Sequence, residues 1–192
     1  MTKVKLLGVS GDAGSFSEQA GLLYAKNNKL NLKLDYLTDS ENVLAALEAN
    51  KIELGLFPVV NNIGGLVQMS LQAMGQHSFE VIDEISLEIN QCLLVKSGTK
   101  INQIKHIISH PQPIKQCKNY LLKYFLNGHI MEHQDTAKAA RELSENKLPE
   151  HSAVIAPESS AKLYGLDILD RNIQDITPNL TTFIIVKSRS TS

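Results

Sequence analysis

Hydrophobic and polar positions along the chain follow two periods that together predict a mixed α/β fold. Short apolar runs with strand character alternate with segments whose apolar positions repeat every three or four residues, as in amphipathic helices. The first part of the chain is predicted to hold strands at 3–9, 32–37 and 52–57 and helices at 16–26, 40–50 and 67–74, with Ser40 as a helix N-cap. This alternation predicts parallel strands with right-handed crossovers.

A longer segment, residues 81–95, carries a different pattern. Its odd positions are largely apolar and its even positions include Glu84, Ser86 and Glu88, which is the period of an extended strand. At ~3.3 Å per residue, a straight strand of this length would cross ~50 Å. We therefore expect it to bend and to pass from one lobe into another.

A second series of alternating elements follows. The predicted strands are 106–109, 129–133, 153–156 and 167–170, and the predicted helices are 111–126, 136–146 and 158–164, with Gly165 as a C-cap. The last strand begins after Pro178, because proline cannot donate to a sheet ladder. We expect this strand to return to the first lobe, so that the two domains are 1–78 plus 174–192 and 79–173.

Composition places the chain among ordinary globular proteins. Apolar residues make up 43%, charged residues 20%, and the formal net charge is -1, so we expect neither nucleic acid nor a membrane as partner. The apolar stretch at residues 1–8 is too short for a signal peptide, and Cys92 and Cys117 are too few for a disulfide scaffold. The expected location is the cytoplasm, with both thiols free.

Small polar side chains stand at the ends of several predicted elements. Ligands in open α/β sheets bind beyond the carboxyl ends of strands, near helix N-termini. Residues 11–17 form a glycine-containing loop that enters a helix, and Ser109 ends a strand just before Pro111, a residue typical of a first helical turn. Gln116 lies further along the same helix. The local alternatives are a plain cap for Ser109 and a solvated helix face for Gln116.

Two further candidates lie at strand ends. Asn61 follows Pro58, and Thr181 and Thr182 open the last strand. Their alternatives are an Asx turn for the asparagine and simple strand propensity for the threonines. No metal-ligand spacing and no nucleophile with its base occur in the sequence, so we expect no metal and no cofactor. Uncharged hydrogen-bonding groups suit a small anion, or a reaction whose driving force lies in the substrate.

Six segments in order carry a family resemblance. They read Gly-Asp-Ala-Gly-Ser-Phe-Ser (11–17), Pro-Val-Val-Asn-Asn-Ile-Gly-Gly (58–65), Ser-His-Pro-Gln-Pro-Ile-Lys-Gln-Cys (109–117), Tyr-Gly-Leu (164–166), Ile-Gln-Asp (173–175) and Asn-Leu-Thr-Thr-Phe (179–183). Together they resemble prephenate dehydratase, with its Gly-Pro-x-Gly-Thr-Phe-Ser, Pro-x-Glu-Asn-Ser-x-x-Gly, Ser-His-Pro-Gln…Gln-Cys and Asn-x-Thr-Arg-Phe motifs. The resemblance covers nearly the whole chain.

The resemblance implies an enzyme that converts prephenate to phenylpyruvate with loss of water and carbon dioxide, in phenylalanine biosynthesis. It implies two three-layer α/β lobes of type II periplasmic-binding-protein-like architecture, an interlobe cleft, and a homodimer. It covers the catalytic domain only, so we expect no ACT regulatory domain after Ser192. The implied catalytic residues are Thr181, Ser109, Gln116 and Asn61, with Thr181 as hydrogen-bond donor to the departing hydroxyl. The implied substrate-binding residues are Ser15, Phe16, Ser17, His110, Thr182 and Phe183.

Three positions depart from the family motifs. Val60 replaces a glutamate, Asn62 a serine, and Thr182 an arginine. Losing an arginine from a desolvated carboxylate site costs roughly 2–5 kcal/mol, so an arginine that held prephenate directly would leave a poor dehydratase here. An acidic and a basic position have both become neutral, however, and losing both members of a pair costs less than losing one. We therefore predict that residues 60 and 182 are neighbours.

Two other functions stay open. A prephenate decarboxylase would release carbon dioxide and keep the hydroxyl, and relatives of that kind lack parts of the Asn-x-Thr-Arg-Phe motif. A binding module would keep the site without turnover. The threonine at 181 favours dehydration, and the uncharged residues retained at 61, 109 and 116 count against a mere binding module.

Overall fold

The computed structural model describes residues 4–189, which form two β-sheets with helices on both faces of each. The strands are β1 (Lys5–Ser10), β2 (Leu32–Leu37), β3 (Leu54–Asn61), β4 (Gly65–Leu66), β5 (Phe79–Glu88), β6 (Cys92–Val95), β7 (His106–Ser109), β8 (His129–Glu132), β9 (Ser152–Ala156), β10 (Asp167–Arg171) and β11 (Leu180–Ser188). The helices are α1 (Phe16–Asn27), α2 (Ser40–Glu48), α3 (Gln68–Met74), α4 (Pro111–Gln116), α5 (Lys118–Tyr124), α6 (Thr136–Ser144) and α7 (Glu158–Tyr164). No described helix has the length and hydropathy needed to span a membrane.

The first unit is built on a mixed sheet with strand order β2-β1-β3-β11-β5, and β4 pairs with β3. Strand β1 is parallel to β2 and to β3, as predicted. Strand β11 is antiparallel to both of its neighbours. One apolar cluster packs α1 against Leu7, Leu56 and Phe183, and another packs α2 and α3 against Phe57 and Val186. The sheet is therefore covered by helices on both faces.

The second unit is built on a sheet with strand order β10-β6-β9-β7-β8. Strand β7 is parallel to β8 and β9, whereas β6 is antiparallel to β9 and β10. Helices α6 and α7 cover one face through Leu143 and Ala161, and α4 and α5 cover the other through Cys117 and Leu121. This unit has the same three-layer construction.

The two units have different bounds from the two predicted domains. The first unit holds residues up to Asp12, Phe16–Glu88 and the chain from Leu180 onward, and the second holds Ala13–Ser15 and Ile89–Asn179. The predicted boundary at 78/79 falls earlier because β5 pairs with β11 along its whole length and so belongs to the first sheet. The segment with a period of two does break, at residues 89–91, and its second part is β6 of the other sheet.

Several local predictions also differ from the structure. Lys3, the predicted start of the first strand, lies outside the described residues. Asp39, not Ser40, is the N-cap of α2, and its carboxylate accepts a hydrogen bond from the Asn42 amide at 2.8 Å. The predicted helix 111–126 is two helices that meet at Cys117. Strand β3 continues past Pro58, where the register with β11 shifts at a bulge. A bulge tolerates the missing proline N–H.

Candidate active site

The Asn61–Thr181 pair joins the end of β3 to the start of β11. The two residues are register partners, and Asn61 Nδ2 donates to Thr181 Oγ1 at 2.9 Å. The Asn61 side-chain oxygen accepts the backbone N–H groups of Ile63 and Gly64 at 3.0 and 2.7 Å. The Asx turn that the sequence left open is therefore present. It holds the asparagine so that its NH₂ group faces the threonine.

The Thr181 hydroxyl is oriented as a hydrogen-bond donor. A hydroxyl has one proton and two acceptor positions, and the oxygen of Thr181 already accepts from Asn61. Among residues 4–189, no bond is found in which this hydroxyl donates. The residue is only 8% exposed, so a group that accepts this proton would be partly desolvated. This arrangement suits donation to an oxygen that gains negative charge.

Leu180, the residue before Thr181, is held at both its backbone N–H and its carbonyl. The Leu180 N–H donates to Asn62 Oδ1 at 2.7 Å, and the Leu180 carbonyl accepts the Asn62 N–H at 2.9 Å and Asn61 Nδ2 at 3.1 Å. Asn62, which stands where the family motif has serine, thus has a side-chain role here. It fixes the backbone that carries the Thr181 hydroxyl.

Val60 and Thr182 lie on the opposite face of the sheet from this pair. They are register partners across β3 and β11, which confirms the prediction that residues 60 and 182 are neighbours. Thr182 Oγ1 lies 3.1 Å from Ser86 Oγ on β5. Successive side chains along a strand point to opposite faces, so residue 182 points away from the face that carries the Thr181 hydroxyl.

Three more predicted site residues lie near the same end of the first unit. Phe183 is 2% exposed and belongs to the apolar cluster with Leu56, and Phe16 packs against that cluster. The Phe183 ring is therefore a core side chain. Ser17 is buried and its Oγ lies 3.3 Å from Ser10 Oγ at the end of β1.

In the second unit, Ser109 and His110 are occupied by structural hydrogen bonds. The Ser109 hydroxyl is fully buried and donates to the Ile155 carbonyl at 2.7 Å, which ties β7 to β9. His110, not Ser109, caps α4, because its Nδ1 accepts the Gln112 N–H at 3.2 Å. Burial lowers the pKa of His110, so the ring is neutral at pH 7 and remains an acceptor at that nitrogen.

The loop that carries Ser15 is anchored in the second unit. The Gly14 carbonyl accepts the hydroxyls of Ser159 and Ser160 at 2.6 and 3.0 Å, and Tyr164 donates to the Ala13 carbonyl at 2.8 Å. Gly14 has φ +86, and a Cβ there would lie 3.1 Å from the Ser160 backbone. Glycine is required for this close approach, and Ser15 beside it is buried.

Gln116 belongs to a buried group of side-chain amides, the amide cluster: Gln91, Gln116, Gln174 and Asn179. Gln116 Oε1 accepts Gln91 Nε2 at 3.1 Å and Asn179 Nδ2 at 3.2 Å, and Gln116 Nε2 lies 3.4 Å from Asn179 Oδ1. All four side chains are at most 8% exposed. Gln116 is therefore not on a solvated helix face.

Charged and nucleophilic groups contribute little to the Asn61–Thr181 pair and to the amide cluster. Cys92 and Cys117 are free and buried, and desolvation raises the pKa of both thiols, so neither is a reactive thiolate. The guanidinium of Arg171 lies 3.4 Å from the exposed carboxylate of Glu158. The chemistry of the site therefore rests on neutral donors and acceptors.

The structure brings together some predicted residues and adds others. Asn61 and Thr181 meet in the first unit, and Gln116 meets Asn179 in the second. Sequence reasoning assigned no role to Gln91 or Gln174. Gln174 lies inside a motif that resembles the family and could have been noticed, whereas Gln91 stands in the break between β5 and β6, where no periodic pattern marks it.

Two three-layer α/β units carrying amide and hydroxyl side chains define a class of protein with periplasmic-binding-protein-like folds. A putative methionine-binding lipoprotein from Bacillus subtilis superposes with a TM-score of 0.56 at 14% identity, over 98% of this chain and 84% of that one. A prephenate dehydratase from Arthrobacter aurescens, solved in complex with L-Phe, superposes with a TM-score of 0.85 at 23% identity, over 97% and 61%. Both likenesses concern the fold, and they confirm the predicted fold class.

Within this class, the family is prephenate dehydratase. Its family model matches residues 7–191, and the chain therefore belongs to the prephenate dehydratase family. An Arabidopsis thaliana chloroplast protein named arogenate dehydratase/prephenate dehydratase 2 is 30% identical over 176 residues, which is 92% of this chain and 44% of that protein. The chain thus spans less than half the length of that relative.

Proposed function

We propose that the chain catalyses the decarboxylative dehydration of prephenate to phenylpyruvate. The bond between the ring and its carboxylate breaks, its electron pair enters the ring, and the ring hydroxyl leaves as hydroxide. The hydroxide takes a proton from solvent, so the products are phenylpyruvate, carbon dioxide and water. Because the ring becomes aromatic, the protein needs only to hold the substrate and to stabilise the departing oxygen.

The observation that carries the proposal is the Asn61–Thr181 hydrogen bond. The bond occupies one lone pair of the Thr181 oxygen and leaves the threonine proton to be donated to the leaving hydroxide. A donor aimed at a developing negative charge stabilises the transition state more than the ground state. In this proposal Thr181 contacts the reacting oxygen and Asn61 orients Thr181, and the resemblance implies Gln116 as a further substrate contact.

The missing arginine at position 182 does not count against this proposal. The side chain of residue 182 leaves the sheet on the face opposite to Thr181, beside Val60 and Ser86. An acid and a base at positions 60 and 182 would have paired with each other across the strands. The substrate contacts implied for Ser15, Phe16, Ser17, Ser109, His110 and Phe183 stay predictions, and so does that of Thr182, which the proposed geometry does not use.

The test is product analysis with purified protein, prephenate and, separately, arogenate, because one relative is named for both substrates. We expect phenylpyruvate from prephenate, and a fall of kcat by about 10²–10³ in Thr181→Val, the size typical of losing one such donor. Ser188→Ala is the matched control, because it removes a hydroxyl at the other end of β11, where it bonds Leu47.

Three outcomes would contradict the proposal. A non-aromatic hydroxy keto acid as product indicates a decarboxylase. Thermal stabilisation by prephenate without turnover indicates a binding module. An unchanged rate in Thr181→Val removes the role assigned to the hydroxyl.

We further propose that the protein is a homodimer, as the resemblance implies, and that it lies in the cytoplasm, which the short N-terminal apolar stretch and the two cysteines favour. Light scattering during size-exclusion chromatography gives the mass in solution. A particle of 21.2 kDa, the mass of one chain, would contradict the dimer.

A further inference from the structure

We propose that the first unit carries a docking surface for a basic, amphipathic polypeptide segment of another protein. The surface is a row of uncharged side chains across four strands, called here the uncharged row: Leu66 on β4, Val60 on β3, Thr182 on β11 and Ser86 on β5. All four residues belong to the first unit. Docking there does not require that the chain acts on prephenate.

The register of the strands places these four side chains on one face of the sheet. Val60 is the register partner of both Leu66 and Thr182, and Thr182 is the partner of Ser86. Partners in an antiparallel ladder have their Cβ atoms about 4.5–5.5 Å apart on the same face. Leu180 lies two residues before Thr182 and therefore points to this face as well. The side chains of the row are neighbours across the sheet.

This end of the sheet extends beyond the helices that cover the same face. Ile184, two residues after Thr182, is buried in the cluster formed with α2 and α3. Leu66, in contrast, is 57% exposed, and Leu180 is 39% exposed. Single exposed leucines are common on protein surfaces, but a contiguous apolar area with a polar rim is typical of an interaction site. The exposed leucines beside the row form such an area.

Two members of the uncharged row stand where the family motifs have charged residues. A glutamate and an arginine are replaced by Val60 and Thr182. Covering a charged group by a partner costs far more than covering an uncharged one, because the charge loses its hydration. With valine and threonine at these positions, a partner can cover the row without that cost. Docking thus gives a reason for the absence of both charges in this chain.

Two carboxylates indicate which partner fits the surface. Glu84 and Glu88 are exposed on β5, on the same face as Ser86 and at the edge of the sheet. Within residues 4–189, neither carboxylate has a cation at ion-pair distance. A segment that carries lysine or arginine beside its apolar side chains would complement them. A second copy docked through the same face would add two more carboxylates, and acidic residues on an edge strand oppose pairing between copies.

Two synthetic peptides test the surface. They have equal length and equal leucine spacing, with lysine at the polar positions of one and glutamate at those of the other, and each is titrated into the ¹⁵N-labelled protein. We expect the lysine peptide to shift the backbone amide signals of the uncharged row and of Leu180. The glutamate peptide should bind about tenfold or more weakly, because the charges repel. Added salt should weaken binding of the lysine peptide.

Substitutions of exposed residues locate the binding. Leu66→Ser should weaken binding of the lysine peptide about tenfold, because a leucine in the interface is lost. Leu22→Ser is the matched control, since Leu22 is 55% exposed on α1, which covers the opposite face, and its loss should leave the affinity unchanged. Glu88→Gln should weaken binding about threefold. Glu150→Gln, which removes an exposed carboxylate of the second unit, should not.

Four results would overturn the proposal. The first is a titration in which no signal shifts, or in which the shifted signals lie away from the uncharged row. The second is equal binding of the two peptides, which would mean that the carboxylates do not select the partner. The third is equal loss of affinity in Leu66→Ser and Leu22→Ser. The fourth is a shift of the row's signals on dilution of the protein alone that Leu66→Ser abolishes, because the occupant would then be a second copy of this chain.

Discussion

Val60 and Thr182 face each other across β3 and β11, on the face of the sheet opposite to that of Asn61 and Thr181. Both positions are neutral here, where the family motifs carry a glutamate and an arginine. Because the two sites are cross-strand partners, an ion pair at these positions would act between strands. The sheet geometry thus explains how both charges can be absent together.

Restoring the charges tests this relationship. We expect Val60→Glu and Thr182→Arg together to give a favourable coupling energy of about 0.2–1 kcal/mol in a double-mutant cycle, the range of cross-strand charge pairs. Urea unfolding of the four proteins measures it. We expect kcat to change less than about threefold, because the side chains at 60 and 182 point to the face of the sheet opposite to that of the Thr181 hydroxyl. A larger loss of activity in Thr182→Arg would mean that residue 182 does contact the substrate.

Asn61→Asp reverses the hydrogen bond to Thr181. The aspartate still accepts the N–H groups of Ile63 and Gly64, but its second oxygen attracts the threonine proton, which is then withheld from the leaving group. We expect kcat to fall by about 10²-fold or more, as for loss of an oxyanion donor. Steady-state kinetics with prephenate measures it.

Asn62→Asp is the matched control for that experiment. It adds the same charge one residue away and retains the oxygen that accepts the Leu180 N–H. Its effect reports electrostatic repulsion of the substrate alone. Equal losses of kcat in the two variants would contradict the orienting role of Asn61.

His77 makes part of the stability of the first unit dependent on pH. Its ring nitrogens lie 2.7 Å from Glu41 and 2.9 Å from Glu48, and hydrogen bonds to Glu41 first and Glu48 second raise its pKa above 6.5. A raised pKa contributes stability that is complete below the unfolded value of about 6.5 and is lost as pH rises through the folded value. We therefore expect the melting temperature of His77→Gln to fall further below wild type at pH 6 than at pH 9. An equal difference at both values would contradict the ion pair.

Gly165 tests a purely conformational cost. It ends α7 with φ +66 and ψ +37, and a Cβ added there would meet nothing within 4 Å. Gly165→Ala should destabilise the protein by about 1–2 kcal/mol through the left-handed backbone alone. Gly165→Asn should cost less, because asparagine tolerates this conformation. Urea unfolding measures both, and equal costs would indicate another cause.

The elements whose bounds are best predicted from the sequence are those set by a local hydrophobic pattern. Strands Leu32–Leu37 and His106–Ser109 and helix Glu158–Tyr164 have the predicted bounds, because their apolar periods are interrupted sharply by turn residues. The N-cap of α2 was predicted one residue late because Asp39 and Ser40 are both good caps and stand side by side.

Long-range pairing was harder to predict. Nothing local in residues 79–88 says whether their partner is β11 or β6, so the predicted domain boundary fell before β5. For the site, motif resemblance pointed to Asn61, Gln116 and Thr181, but the hydrogen bonds that orient them depend on residues far apart in sequence. Gln91 contacts Gln116 only through the fold, and a lone glutamine in a loop carries no pattern.

The central place of β11 in the first sheet has a consequence for how the polypeptide assembles. This strand lies between β3 and β5, yet the chain reaches it only after the whole of Ile89–Asn179 has been made. Until then β3 and β5 lack the neighbour that joins them, and each exposes unpaired backbone groups. The second unit must therefore be synthesised before the first sheet can be completed. The nascent first unit depends on β11 to join β3 and β5 into one continuous sheet.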